Sequence, residues 1–298
     1  SDLYLHLRRS EFKQALDVLE RARRIAPNSA DVAKLSGWAY FGMNKLKEAI
    51  AEWKRALQIH PEADVQAALE RAERDLQEEE NYNENESRHL TLKYTGAAAP
   101  DLARAGLRAL ERDFTEIESE LQFTPPDPIG VILYTQEAFA DITRAPGWVG
   151  ALNDGRIRVP VQGLTSVSPE LARVLKHELT HSFLAQKTHG RCPAWLSGGI
   201  AQWMEGRRSG ENAAALVQVY EAKEFVPFAE LEGPWMSLPG DVASYAYAWS
   251  LAGAEYLVQS AGMNDLTRIL DRIASGSSTE GALREVLRRN YPDFTADA

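Results

Sequence analysis

A residue pattern that returns after 34 positions constrains this chain more than any other feature. Ala15, Leu19, Ala22 and Pro27 recur one period later as Ala49, Trp53, Ala56 and Pro61. Self-similarity at this spacing marks stacked supersecondary units, each unable to bury its apolar face alone. Gly37 and Tyr40 sit between the copies. A small residue lets one helix approach the next, and Pro closes each helix pair because it cannot continue the second helix. The pattern predicts paired helices over residues 1–63. The first copy lacks the start of its first helix, so further repeats are expected ahead of Ser1. Residues 64–80 continue as a helix with Val65, Ala68 and Leu69 on one face, suited to capping the stack. The acidic run Glu78–Glu80 and the polar stretch 81–85 read as a solvated helix end followed by a linker.

At 298 residues the chain has room for two domains. Its 33 Lys+Arg against 43 Asp+Glu give a net charge of −10. An acidic chain without a basic cluster is a poor candidate for phosphate-backbone binding, so no nucleic-acid partner is expected. No apolar run approaches the length of a membrane span. The single Cys192 excludes an internal disulfide and a Cys-rich zinc module. It leaves the compartment open, cytoplasmic or exported. The chain starts at Ser1-Asp2 without an initiator Met or apolar leader, which reads as a processed or excised piece.

Beyond the repeats the pattern changes. Residues 89–94 alternate as a strand. Leu102, Leu107, Leu110, Phe114 and Ile117 recur at helical spacing over 101–121, behind Pro100 and a capping Asp101. Residues 129–134 form a short buried strand. Asn153-Asp154-Gly155 is a turn, and 156–161 alternates Ile157 and Val159 against Arg156 and Arg158. Pro160 lacks an N–H and puts this strand on a sheet edge. From Ser168 every long segment reads as helix. The expected fold class is α+β, with all-α repeats over residues 1–84 and a small sheet plus helices over 85–298.

Ser168-Pro169-Glu170 opens a helix containing His177-Glu178-Leu179-Thr180-His181. This is an H-E-x-x-H pattern. Histidines four apart share a helix face, so both imidazoles can converge on one tetrahedral metal. Glu178 sits beside them, where a carboxylate can take a proton from a water on that metal. Leu171, Val174, Leu175 and Leu179 give the helix a buried face. The competing reading is a surface helix that happens to carry two histidines.

Residues 1–63 resemble the tetratricopeptide-repeat family in spacing and residue type. Residues 88–298 resemble the gluzincin metallopeptidases, in particular the bacterial peptidase-MA-like group often joined to such repeats. The second resemblance is carried by residues 152–161, by His177 to His181, by Pro193-Ala194-Trp195-Leu196-Ser197 with Gly199-Ile200-Ala201, and by Ser244 to Trp249. It implies a zincin-like domain with Zn2+ held by His177 and His181 and with Glu178 as general base. It also implies a peptide or protein substrate paired along an edge strand, here 156–161. Tyr245 is implied as the phenol that donates to the oxyanion, with Tyr247 as second choice. Packing of an amphipathic helix through Tyr245, Trp249, Ala252 and Tyr256 is the alternative. The repeats imply a protein partner bound on their concave face.

One position departs from the family pattern. The resemblance implies a third zinc ligand, a Glu directly before Gly199, and the residue there is Gly198. Two glycines inside a helical run cost about 1 kcal/mol each against Ala, with no visible structural gain. Glu205, seven residues on, would be displaced about 10 Å along the helix, too far to take the same place. Gln202 is better spaced to orient a ligating imidazole; a surface glutamine is the alternative. His189 and Cys192 lie between the two motif helices, and Cys192 reads as a buried apolar group. His6, His60 and His89 read as structural. The sequence thus supports a zinc metallopeptidase impaired at one ligand, or a non-catalytic scaffold with a degenerate peptidase fold.

Overall fold

A computed structural model describes residues 12–95, 100–143, 151–161, 163–221, 226–233, 235 and 240–298. His6 lies outside the described residues. The chain forms two compact units, residues 1–114 with 125–175, and residues 115–124 with 176–298. The repeat helices and the sheet fall in the first unit.

In the first unit the repeat pattern becomes α1 (Phe12–Ile25), α2 (Ala30–Gly42), α3 (Leu46–Ile59) and α4 (Ala63–Glu79). The positions that recur at 34 residues are the packing positions: Ala15, Leu19, Ala49, Trp53 and Ala56 are all buried. Gly37 is required by a close approach, since a Cβ there would overlap the Trp53 indole. Ser29 caps α2, its side chain accepting from the Val32 N–H at 3.3 Å. Val65, Leu69 and Ala72 of α4 join the same core, so the fourth helix does cap the stack.

The sheet in this unit has five strands: β1 (Asn83–Glu86), β2 (Leu90–Tyr94), β3 (Ile129–Tyr134), β4 (Leu152–Asn153) and β5 (Ile157–Pro160). Their spatial order is β1-β2-β3-β5-β4. β2, β3 and β5 run parallel, and the outer strands β1 and β4 are antiparallel to their neighbours. A parallel pair needs a crossover, supplied for β2 to β3 by α5 (Pro100–Leu121), with α6 (Gln136–Thr143) following β3. All six residues of β3 are buried, as its apolar run requires at the centre of a sheet.

Three expectations are corrected here. Residues 83–85, expected as part of a linker, lie in β1 (Asn83–Glu86). The strand at 157–160 is not the edge, because β4 pairs with it at Ile157 and Arg158. Val161 donates to Tyr134 on the β3 side at 2.9 Å, so in a pleated strand Pro160 places its missing N–H on the side away from β3. The third correction concerns charge. Arg156 and Arg158 alternate with apolar residues, yet their side chains are 1% and 0% exposed. They are buried against α4, whose Asp75 and Glu79 share a helix face at i, i+4. Arg158 donates from Nη1 and Nη2 to Asp75 at 2.9 and 2.7 Å, and from Nη1 to the Tyr134 hydroxyl at 2.7 Å. Arg156 donates to Asp75, to Glu79 at 2.8 Å and to Asn44 at 3.0 Å, and lies over the Phe41 ring. Glu79, expected in a solvated helix end, is therefore a buried ion-pair partner that Lys93 also reaches at 2.9 Å.

The second unit is helical: the C-terminal part of α7 (Pro169–Lys187), then α8 (Ala194–Met204), α9 (Ala213–Glu221), α10 (Gly240–Ala274), α11 (Thr279–Leu287) and α12 (Tyr291–Asp297). Trp195 anchors its core, its ring tilted against Phe228 at 4.6 Å and Phe294 at 5.5 Å between centroids. Its indole N–H donates to the Tyr291 hydroxyl at 3.2 Å. α10 is interrupted at Gly262, whose φ of 80° and ψ of 167° are not helical.

Candidate metal centre

Ser168 caps α7 as its sequence suggests, its side chain accepting from Leu171 N–H at 3.1 Å. Leu175, Leu179, Phe183 and Leu184 bury one face of that helix. His177 and His181 lie one turn apart and turn the same ring nitrogen toward each other, with Nε2 atoms 3.1 Å apart. Their other nitrogens are held from α8. His181 Nδ1 meets the Ser197 hydroxyl at 2.8 Å, and His177 Nδ1 lies 3.5 Å from a Glu205 carboxylate oxygen. The second distance is that of an ion pair rather than a tight hydrogen bond. Fixing Nδ1 from outside leaves the two Nε2 atoms to converge, which is how metal-ligating imidazoles are oriented.

Glu205 therefore reaches the site after all, but not as a replacement for the residue at 198. Displacement along α8 from Gly198 is not the relevant length. Ser197 meets His181 and Glu205 meets His177, so the later position on one helix pairs with the earlier on the other. Eight residues of α8, about 12 Å, are set against four of α7, about 6 Å. The long Glu side chain spans the remainder, and Arg207 holds its other oxygen at 2.8 Å. Gln202 does not orient an imidazole. Its side-chain amide donates to the carbonyls of Gly198 at 3.2 Å and Tyr247 at 2.9 Å. Sequence spacing missed Ser197 and Glu205 in these roles because the contacts cross between helices, where i, i+4 arithmetic carries no signal.

The two glycines of α8 differ. A Cβ on Gly199 would overlap the Ser250 carbonyl, so close approach of α8 to α10 requires glycine there. A Cβ on Gly198 would meet only the Trp235 ring, at 3.6 Å, an ordinary contact. Of the pair, Gly198 alone has no packing reason to be glycine.

Burial pushes the Glu178 carboxyl up, an effect partly opposed by His177 and reinforced by Glu205. Burial likewise pushes His181 down to about 3, with His177 adding to the shift, so this imidazole is neutral at physiological pH. The two tyrosines differ in their surroundings. Tyr245 is 50% exposed, which removes the core-packing alternative for it. The phenol that responds to Glu178 belongs to Tyr247, raised first by burial and then by that carboxylate. Tyr247 packs edge-on against Trp235 with centroids 5.0 Å apart. Cys192 is half-buried, and burial pushes its thiol up. His89 has an acidic partner, Glu111 at 2.8 Å, and stacks on Phe114 in the first unit. His189 occupies a turn with positive φ, and His60 ends α3.

Among the described residues no group of three or more His, Cys, Asp or Glu side chains is arranged to hold a metal ion. Two imidazoles with convergent Nε2 atoms fit a zinc ion, and among the described residues no third protein donor of a catalytic zinc set stands with them. The Peptidase MA superfamily matches residues 120–290, more than half the chain. The chain belongs to that superfamily. Within this superfamily member, a tetratricopeptide repeat matches residues 6–72, so the repeats and the peptidase-type domain stand in the order that the sequence implies. Repeats of this kind support protein interaction, and the superfamily is generally zinc-dependent. No curated protein matches the chain. No helix among the described residues is long and apolar enough to cross a membrane.

Proposed function

We propose that this superfamily member carries a zinc metallopeptidase site in its C-terminal region, weakened at one ligand. The observation that carries the reading is the paired convergence of the His177 and His181 Nε2 atoms, each imidazole held at Nδ1 by a residue of the following helix. A zinc ion, when bound, supplies Lewis acidity that brings the pKa of a water toward neutrality. His177 and His181 would hold it. Glu178, its carboxyl raised by burial, would take the proton of the attacking water and pass it to the leaving amine. Tyr247, whose phenol is raised by burial and by the Glu178 charge, would donate to the developing oxyanion, with Tyr245 as the second choice. The substrate would be a peptide or protein, with the repeats recruiting a protein partner.

Gly198 sets the level of activity. A structural zinc site is worth about 10–16 kcal/mol, so one ligand is worth crudely about 3–4 kcal/mol. Losing it weakens zinc binding about 100- to 1000-fold. The test is zinc content and peptide cleavage of the wild type, Gly198→Glu and Gly198→Glu/Glu178→Gln. Gly198→Glu is expected to bind zinc at least 100-fold tighter and to cleave peptides, and the added Glu178→Gln to abolish cleavage while zinc stays bound. His177→Ala should release the metal from either background. Zinc-loaded Gly198→Glu that cleaves nothing across a broad peptide library would favour the second reading, a non-catalytic scaffold, for which the missing ligand is the supporting observation.

A further inference from the structure

The surface of the first unit holds a cleft of about 320 Å³ between α5 and the start of α7. Its polar lining is Arg108 and Arg112 of α5 with Ser168 ahead of α7, and its apolar lining includes Ala105, Ala109 and Ala172. Two arginines four apart share one face of a helix, and like charges at that spacing repel unless a Glu three or four residues along relieves them. The carboxylates so placed on α5 are taken. Glu111 meets His89 at 2.8 Å, and Glu116 meets Lys176 at 2.8 Å. Arg104, one turn earlier, has Asp101. Among the described residues neither Arg108 nor Arg112 has a hydrogen bond or an ion pair, and Glu170 beside the cleft pairs with neither. In a chain of net charge −10, two adjacent guanidinium groups thus stand over a cavity without a carboxylate. Ser168 uses one lone pair on the Leu171 N–H at 3.1 Å, and its hydroxyl proton can still be donated to a ligand oxygen.

We propose that this cleft binds the phosphate monoester of a small apolar molecule. Each guanidinium presents a planar fork that takes phosphate oxygens two at a time. A monoester carries three terminal oxygens and roughly two negative charges at neutral pH, enough for both forks and the Ser168 hydroxyl. A carboxylate, with a single charge, would leave one arginine uncompensated. The alanines offer the body of the ester an apolar surface. A phosphorylated peptide suits the cleft less well, because its backbone amides would find Ser168 as the one neutral polar side chain in the lining. The cleft shares no residue with the metal centre, so it stands independently of the metallopeptidase reading.

The test is isothermal titration calorimetry of the full chain at fixed ionic strength. The probes are inorganic phosphate, phenyl phosphate, benzoate and acetyl-phosphoserine N-methylamide. Phenyl phosphate is expected to bind about tenfold tighter than inorganic phosphate, because its ring adds buried apolar area. Benzoate should not bind at the same concentrations. Arg108→Gln and Arg112→Gln should each weaken phenyl phosphate about 10- to 100-fold, the loss of one charged donor group. Both side chains are exposed, so these variants should keep the circular dichroism of the wild type. Ala105→Leu, which fills part of the apolar lining, should bring phenyl phosphate down to the level of inorganic phosphate. Arg173→Gln removes an exposed charge outside the lining and should shift affinity by no more than about twofold, as screening of a distant charge implies. Absence of phosphate binding, or an affinity indifferent to Arg108→Gln and Arg112→Gln, would overturn the site. An equal loss in Arg173→Gln would overturn it in favour of diffuse surface charge. Benzoate bound as tightly as phenyl phosphate would overturn the phosphate class, and tighter binding of the phosphoserine amide would overturn the small-molecule source.

Discussion

Asp127 shows how one side chain can work against the fold that holds it. Its side chain is 7% exposed, 4.0 Å from Lys13, and its Oδ2 has no hydrogen-bond partner. Burial raises its pKa above the usual aspartate range, outweighing Lys13 and the Phe12 backbone. A carboxyl raised in the folded state holds its proton more tightly there than in the unfolded chain, so ionisation destabilises the fold as pH climbs past the unfolded value. Asp127→Asn should therefore unfold at a higher temperature than the wild type at pH 7–8, with the difference vanishing below about pH 4. A wild type that is the more stable at pH 8 would contradict this sign. At the proposed metal centre the same scale separates Glu205 from Gln202. Glu205→Gln keeps the shape but weakens the hold on His177, and should lower zinc affinity about 10- to 100-fold, as loss of such outer partners does. Gln202→Leu should instead affect the link from α8 to the Tyr247 backbone and leave zinc affinity within a few-fold. Equal effects of the two changes on a zinc titration would remove the distinction.

At the scale of elements, the sequence was readable where one element settles its own structure. The repeat helices, strands 90–94 and 129–134, the cap at Ser168 and the histidine pair one turn apart all follow from local spacing. The reading failed where a second element decides. Arg156 and Arg158 alternate as a solvent face would, and only α4, with Asp75 and Glu79 four residues apart, turns that face into a buried network. Glu205 and Ser197 were hidden for the same reason, since their partners lie on α7. The network has a testable cost. Removing one member of a buried ion pair leaves an uncompensated charge and costs about 3–5 kcal/mol, while replacing the pair with apolar groups can be neutral. Arg158→Ala should thus destabilise strongly in urea unfolding. Arg158→Met combined with Asp75→Leu should lose less than the sum of the two singles, although Arg156 still depends on Asp75 for one of its contacts. Additive losses would mean that the two residues do not act as a coupled pair.

For the whole molecule, the question is where the chain can be cut. Repeat arrays fold through contacts between neighbours, which suggests a module separable from whatever follows. Here the last repeat-side helix has a second commitment. One face of α4 packs with α3, and Asp75 and Glu79 neutralise the two guanidinium groups of the sheet. A protein beginning at residue 85 would leave Arg156 and Arg158 without both carboxylates, and would expose the apolar body of Tyr134 beside them. Each orphaned buried charge costs several kcal/mol, against a total stability of about 5–15 kcal/mol for a typical domain. The piece 85–298 is therefore expected to be insoluble or to lack a cooperative thermal transition. A piece beginning at residue 60, which restores α4 but omits α1 to α3, should recover part of the ellipticity and still aggregate through the uncovered α4 core face. Restoring residues 12–59 as well should return a single cooperative transition for the sheet and repeats together. A soluble, monomeric 85–298 with a sharp transition near that of the full chain would show instead that the network is dispensable and that the repeats are a separable arm.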